Sequence, residues 1–368
     1  MLSSRLIKGI SISIHPDCNS NLTTIPWKRN GLSVLMSLRP PPRRPGLDFA
    51  LCHLNNPTQF IYHQFENSTV GFNKMMSWLK KNGVNTNNGF FCMEHTGHYT
   101  LALCCFLQDQ KFAFTLVSPL HLKKSLGITR GKNDKLDAKR IAQFNLLHHR
   151  TLKPMQLPST CLLKLKNLMA FRERLVKINV GLKNAIKDLK NLGNLIDNSF
   201  IIDQSEQHQK LIEKQINDTD KQIEVTLKED DQIKKHFDLI NSVVGIGLIT
   251  AVAFIIYSQN FTAFTNGRQF ACYAGIAPFE HSSGSSIRGR TKVSPLANRK
   301  MKALLSNCAS AAIQHDPELK LYYQRKLKEG KPKMSIQNAI KAKLINRVFA
   351  TVARKTKYVP IMQYSRAA

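Results

Sequence analysis

Two long stretches of heptad-spaced apolar residues lie in the middle of the chain and limit what can be built on either side. From Ser159 to Leu189, the residues Leu168, Phe171, Leu175, Ile178, Leu182, Ala185 and Leu189 alternate spacings of three and four. That spacing sets them on one stripe of an α-helix, in the pattern of a coiled-coil seam. Ser205 to Ile240 carries a similar stripe through Ile212, Ile216, Ile223, Ile233, Phe237 and Ile240. The segment Asn191 to Asp203 between them reads as a turn. Coiled-coil helices over 156–240 therefore separate a unit before them from a unit after them. The seam can close on itself as an intramolecular hairpin or face a second chain as a dimerisation arm. The highly polar outer faces favour the arm.

Charge narrows what the flanking units handle. The chain has 54 Lys and Arg against 24 Asp and Glu over 368 residues, a formal charge of +30. Hydrophobic residues make up 42%, which is too many for a disordered basic tail. So large a cationic excess on a folded chain points to nucleic acid or an anionic membrane. The longest apolar run, Val243 to Tyr257, is too short to span a bilayer and contains two glycines. No signal-peptide pattern stands near Met1. Nucleic acid is thus the expected partner, a membrane is not, and the expected location is the cytoplasm, on the nucleoid. The eight cysteines are scattered without a C-x-x-C pair, which argues against a zinc ribbon or a disulfide framework.

Residues 1–46 hold six prolines, seven Lys or Arg and the single acid Asp17. Without strand or helix periodicity, they read as an aberrant or disordered basic arm. From Leu47 the texture changes. Leu47–His53 and Thr58–Phe65 read as strands joined by Asn55-Asn-Pro57, followed by a helix over Val70–Lys81. Strand Gly89–Met93, helix His98–Gln108, strand Lys111–Val117 and a helix after Asp134 complete an α/β unit over 47–155. On that last helix Asp134 and Asp137 share a face, among Lys132, Lys135, Lys139 and Arg140. Paired carboxylates repel unless a cation sits between them, and magnesium is the usual one. Two acids favouring the positive end of a helix are the plainer explanation.

The order β-β-α-β-α-β-α resembles the ribonuclease-H-like (RuvC-type) nuclease fold. Met93-Glu-His-Thr-Gly-His-Tyr99 and Lys132-Asn-Asp-Lys-Leu-Asp-Ala138 look like acidic motifs of the DEDD transposases of bacterial insertion-sequence family one-ten, the bridge-RNA-guided recombinases. The resemblance implies that Glu94, Asp134 and Asp137 are three of four catalytic, Mg2+-binding acids. The fourth belongs on the first strand, in a segment resembling Ile-Asp-Val-Ser-Lys, and no in-frame residue matches it. Val34–Arg39 admits codons that spell this pentapeptide in another frame. The expectation is that residues 1–46 are translated out of frame, so that the first strand and its acid are lost. The alternative is that Asp48 moves into the missing position.

Further along, Val243-Val-Gly-Ile-Gly-Leu-Ile-Thr-Ala251 has the pattern of a helix-hairpin-helix turn, in which Gly245 and Gly247 let backbone N–H groups approach a phosphate. Phe270-Ala-Cys-Tyr-Ala-Gly-Ile-Ala-Pro278 and Ser282-Ser-Gly-Ser-Ser286 follow, and resemble the C-terminal transposase domain of the same family. The resemblance implies a serine nucleophile that joins DNA. Ser283 fits best, with Ser282, Ser285 and Ser286 as alternatives. Arg288, Arg290 and Lys292 can stabilise an anionic transition state, and Arg299 opens a basic helix. Helices near 299–314, 317–329 and 335–355 carry cations suited to phosphates. Ser294-Pro-Leu-Ala-Asn298 lacks the family's glycine before the Asn, which puts that turn in question.

The expected fold is α/β plus α: a ribonuclease-H-like domain over 47–155, the coiled-coil insertion, a mostly helical serine-bearing domain over 241–357 and a tail over 358–368. The resemblance implies a transposase acting on DNA, with a structured guide RNA and a homo-oligomer whose sites combine acids and serine from different subunits. A junction nuclease without the serine, or a non-catalytic DNA-binding remnant, are the alternatives.

Overall fold

The computed structural model describes residues 34–39, 46–127, 131, 133–193, 195–283 and 287–360. The chain divides into two compact units between Leu157 and Pro158. A five-stranded sheet organises the first: β1 (Val34–Arg39), β2 (Gly46–His53), β3 (Asn56–Glu66), β4 (Gly89–Glu94) and β5 (Ala113–Val117), in the order β3-β2-β1-β4-β5. β3, β2 and β1 pair antiparallel, whereas β1 with β4 and β4 with β5 pair parallel.

Both faces of the sheet are covered, and Leu47 to Cys52 of β2 are all buried. Because successive strand residues point to opposite faces, β2 serves two cores. Leu47, Phe49 and Leu51 pack with Phe91 and Met93 against Phe72, Met75 and Leu79 of α1 (Thr69–Lys81) and Leu103 and Leu107 of α2 (His98–Asp109). On the opposite face Ala50 meets Ala138 and Ala142 of α4 (Asp134–His148). Ile141 and Phe144 of the same helix pack on Cys92, Val117 and Leu122, the last from α3 (Pro119–Ser125).

The expected arm is corrected near its end. Val34–Arg39 is a strand, and the middle one of the sheet, with Ser37 in register between Ala50 of β2 and Cys92 of β4. Its sequence Val-Leu-Met-Ser-Leu-Arg suits a strand flanked by two others, although prolines follow it at once. The first strand is therefore present, and it carries no acid. Residues 1–33 and 40–45 of the expected arm lie outside the described residues.

In the second unit α5 (Thr160–Asn191) and α6 (Ser199–Leu227) run antiparallel along each other. Ion pairs Lys164–Glu229, Arg172–Asp220, Lys183–Glu213 and Lys190–Glu206 mark their register. The seam thus closes within the chain, which corrects its reading as an arm facing another copy. Its composition also differs from the expected stripe. Leu175 is buried as expected, but Phe171 and Ile178 are 41% and 52% exposed. Arg172, Asn179 and Ile186 take the inner positions beside them. Arg172 reaches Asp220 at 2.5 and 3.0 Å, and Asn179 is buried. A polar residue with a partner opposite can hold a seam position, which apolar periodicity does not register.

The second helical run is two helices. α6 ends at Leu227, and α7 (Asp231–Asn241) restarts where Asp230 accepts from the backbone N–H groups of Gln232 and Ile233, both at 3.0 Å. α8 (Leu248–Tyr257) and α9 (Gly267–Tyr273) follow, then the hairpin β6 (Pro278–Ser283) and β7 (Ile287–Val293). α10 (Arg299–His315), α11 (Pro317–Lys328) and α12 (Lys333–Arg354) close the unit. Phe254, Phe270, Leu305, Ile340, Leu344 and Val348 lie in one buried core with Ile233 and Ile240 of α7. Buried Asp316 caps α11 through the Leu319 N–H at 3.0 Å and receives Arg347 of α12 at 2.6 Å, while Arg347 also reaches Glu318 at 2.7 Å. No helix among the described residues is long and apolar enough to cross a membrane.

Gly245 has φ +91°, and a Cβ there would lie 2.8 Å from the Ala312 Cβ and 2.9 Å from the Cys308 carbonyl oxygen of α10. Gly245→Ala should therefore destabilise the chain by about 2–4 kcal/mol, through left-handed backbone strain plus overpacking. Gly247 has φ −99° and open space in front of it. Gly247→Ala should leave the urea midpoint nearly unchanged, and equal effects of the two substitutions would contradict this packing account.

Candidate functional site

The α4 helix begins at a capped turn. Asn133 Oδ1 accepts from the Leu136 N–H at 2.7 Å, and the Asp137 N–H donates to the Asn133 carbonyl at 3.0 Å. Asp134 and Asp137 both fall in the first turn, where carboxylates meet the positive end of the helix. Arg140 donates to Asp137 at 2.9 Å and to the Gly131 carbonyl at 3.0 Å. That guanidinium is committed to the protein, so it is less available to a phosphate than the exposed Lys135. Lys135 is exposed and holds its ammonium 5.3 Å from the centre of the Tyr62 ring. Lys139 is half-buried, and Lys132 lies outside the described residues.

Beneath this turn sits a carboxylate that the sheet buries. Asp48 of β2 is 1% exposed. The Tyr62 hydroxyl of β3 donates to its Oδ1 at 2.5 Å, and Gln64 approaches the same oxygen at 3.5 Å. Its Oδ2 is buried without a hydrogen-bond partner. The Tyr62 phenol is pushed up to about 12 by burial first, then by its bond to Asp48 and by the charges of Asp48 and Asp134. That coupling brings Asp48, Tyr62, Asp134 and Lys135 together. Tyr62 escaped the sequence reading because its role depends on the strand register that sets Gln64 opposite Asp48.

Glu94 ends β4 half-buried, in register with Val117 of β5. Arg39 of β1 pairs with Asp48, and Leu38 pairs with Met93. Glu94 therefore follows in the same row as Arg39, two strands from Asp48, or about 10 Å between backbones. Among the described residues no three His, Cys, Asp or Glu side chains gather closely enough to hold a metal ion. Magnesium requires a tight oxygen shell at about 2.1 Å. Glu94, Asp134 and Asp137 do not make one as placed: one acid is bonded to Arg140, and β1 adds none. Among the described residues, the donor set as placed does not fit a magnesium centre.

In the second unit the Ser-Gly segment begins at the end of β6, which pairs antiparallel with β7. Ser282 pairs with Arg288, Ser283 with Ile287 and Phe279 with Lys292, which places Ser283 at the end of β6. Gly284, Ser285 and Ser286 lie outside the described residues, as do the side chains of Ser282, Ser283, Arg288, Arg290 and Lys292. The following turn closes without the family's glycine. Asn298 caps α10 through the Met301 N–H at 3.0 Å and donates to the Tyr273 hydroxyl at 2.7 Å. Arg299 stands first in α10, exposed. Gly245 is occupied by packing against α10, whereas Gly247 caps α8 and faces open space.

Comparison with known proteins bears on what this arrangement serves. Residues 48–192 match the DEDD transposase model of the IS110 type, and residues 237–324 match the transposase model of the IS116/IS110/IS902 family. The chain belongs to the IS110 family of transposases. It is 24% identical to the pilin gene-inverting protein of Moraxella bovis over 307 residues, covering 80% of this chain and 89% of that one. It is also 30% identical over 120 residues to an insertion element IS110 protein of Streptomyces coelicolor, covering 33% and 29%. A 42 kDa protein of insertion element IS900 from Mycobacterium paratuberculosis shares 28% over 150 residues, covering 40% and 36%. Membership places the chain in a class of enzymes that cut and recombine DNA, a class that typically uses a divalent metal.

The Tyr62–Asp48 pair can be tested by itself. Tyr62→Phe removes the donor to a buried carboxylate and should cost about 1–3 kcal/mol at neutral pH. The phenol titrates near 12 in the folded chain against an ordinary 10.0, so the unfolded chain ionises first. Its contribution is present below pH 10 and is lost as pH rises toward 12. The stability gap between the native chain and Tyr62→Phe, read from urea unfolding, should narrow over that window, and a constant gap would oppose the assignment.

Proposed function

We propose that the chain is the DNA-binding transposase of an insertion element whose own strand-cleaving centre is incomplete. The observation that carries this reading is the acid-free strand β1 at the centre of the sheet, beside acids that do not gather. The sheet order, three antiparallel strands followed by two parallel ones, supports a ribonuclease-H-like unit in which that strand should bear a carboxylate. In the second unit Ser283, the last residue of β6, would supply the hydroxyl that attacks a DNA phosphorus atom. Arg288, Arg290 and Lys292 on the facing strand would steady the charge, and Lys135, Lys139, Gly247 and Arg299 would contact phosphates. The Moraxella relative is named for inverting the pilin gene, and inversion of a DNA segment is a reaction that this reading accommodates. A structured RNA as a second polyanion belongs to the same reading and is supported by the charge of +30.

Incubation with supercoiled plasmid in magnesium, followed by denaturing gels, tests it. The chain should bind DNA with strong salt sensitivity and yield neither nicks nor a covalent adduct. Ser37 stands in register between Ala50 and Cys92, two positions whose side chains face α4. Ser37→Asp should raise nicking above background, with an adduct that disappears on Ser283→Ala. Cleavage by the native chain that Asp48→Asn abolishes would make Asp48 the substitute acid and the enzyme active.

Assembly is the second part of the proposal. Phe171 and Ile178 remain exposed on α5 after the hairpin closes, and their heptad spacing makes a narrow apolar stripe suited to another copy. Phe171→Glu with Ile178→Glu should reduce the mass measured by light scattering to that of a monomer, while circular dichroism stays unchanged.

A further inference from the structure

The second unit buries a lysine that no described acid answers. Lys341 of α12 is 3% exposed and makes no hydrogen bond or ion pair with any described residue. Burial first, and the nearby charge of Lys302 second, hold its ammonium below the ordinary lysine range. A buried cation without a partner is costly, and a second cation beside it raises that cost. Among the described acids of this unit, Glu173 binds Lys300 at 2.5 Å, and Asp316 and Glu318 bind Arg347.

Lys302 lies in the first turn of α10, which has no acidic residue and, although Asn298 takes the Met301 and Lys302 N–H groups, still presents the positive end of a 17-residue helix. Cations there are disfavoured unless an anion joins them. The same two helices hold the chain just before the serine hairpin. The Lys302 stem passes 3.8 Å from where a Gly275 Cβ would be, and Asn338 of α12 donates to the Ile276 carbonyl at 2.8 Å. The six residues of β6 then carry the chain about 17 Å to Ser283.

We propose that Lys341 and Lys302, at the start of α10 and beneath the root of the β6–β7 hairpin, form a binding site for a phosphate anion. In the nucleic-acid reading above, on which the identity of the ligand rests, this anion is a backbone phosphate of the DNA strand held along the hairpin. The site fixes the strand at one point, and β6 then carries Ser283 toward a phosphate further along.

The full-length chain is tested with two probes, inorganic phosphate and a fluorescent DNA duplex. Lys341→Met keeps the length of the buried stem and removes the charge. Phosphate should raise the thermal midpoint of the native chain saturably, and should leave that of Lys341→Met unmoved. In anisotropy titrations Lys341→Met should bind DNA about five- to tenfold more weakly, with a salt slope shallower by about one. Lys302→Met should behave likewise and supplies the test if Lys341→Met folds poorly. A phosphate response and salt slope unchanged in both variants would overturn the site. A Lys341-dependent phosphate response in a chain that binds no DNA would uphold the site while removing the nucleic-acid reading.

Discussion

Three alanines set the geometry of the first unit. Ala50 on β2 and Ala138 and Ala142 on α4 bring a helix down onto the sheet, closer than larger side chains would permit. That closeness puts the capped first turn of α4, with Asp134 and Asp137, over the row of strand residues that contains Asp48. A larger residue at Ala138 would lift the turn and separate Asp134 from Tyr62. Ile141 and Phe144, further along the helix, then fill the wider gap above Cys92 and Val117. The taper from small to large side chains along one helix is what aims its acidic end at the sheet.

Charge is distributed with the same economy. Few acids are available against so many cations, and most that the structure places firmly serve the protein itself. Asp220, Glu206, Glu213 and Glu229 lock the helical hairpin, while Asp316 and Glu318 hold Arg347. The exposed pairs of the hairpin add little stability one by one, yet they fix register where the apolar seam is interrupted by Arg172 and Asn179. The consequence is a large surplus of unanswered cations, of which buried Lys341 is the extreme case. A folded chain tolerates that surplus when a polyanion supplies the missing charge.

How much of this could be read from the sequence depended on whether a residue's role was set by its neighbours in the chain or by its neighbours in space. The strand signal in Leu47–His53 and the helix starts after Asp134 and at Arg299 are local, and the elements they define lie within a few residues of expectation. Phe171 and Ile178 fit an apolar stripe, but the partner helix selects Arg172 and Asn179 because Asp220 and Glu213 stand opposite. Tyr62 and Lys341 carry no local mark at all. One matters through strand register and the other through packing between α10 and α12. β1 was obscured for the opposite reason, since the prolines that follow it hid six strand-compatible residues.

On the proposed reading, that strand is also a reason why fold and chemistry need not be lost together. To occupy the centre of the sheet, β1 has only to pair with β2 and β4 and to present side chains that suit two covered faces. Many short apolar sequences meet that demand. A carboxylate at the same place is a burden to the fold, because a charge in a covered sheet must be desolvated and, without its cation, left unanswered. Replacing it with a neutral residue relieves the fold while removing the reaction, the usual opposition between stability and an active site. The basic helices face no such opposition, since their cations sit on solvated faces at little cost. A member of this family that loses its first acid is therefore expected to keep its sheet, its helical core and its hold on DNA long after it has ceased to cut.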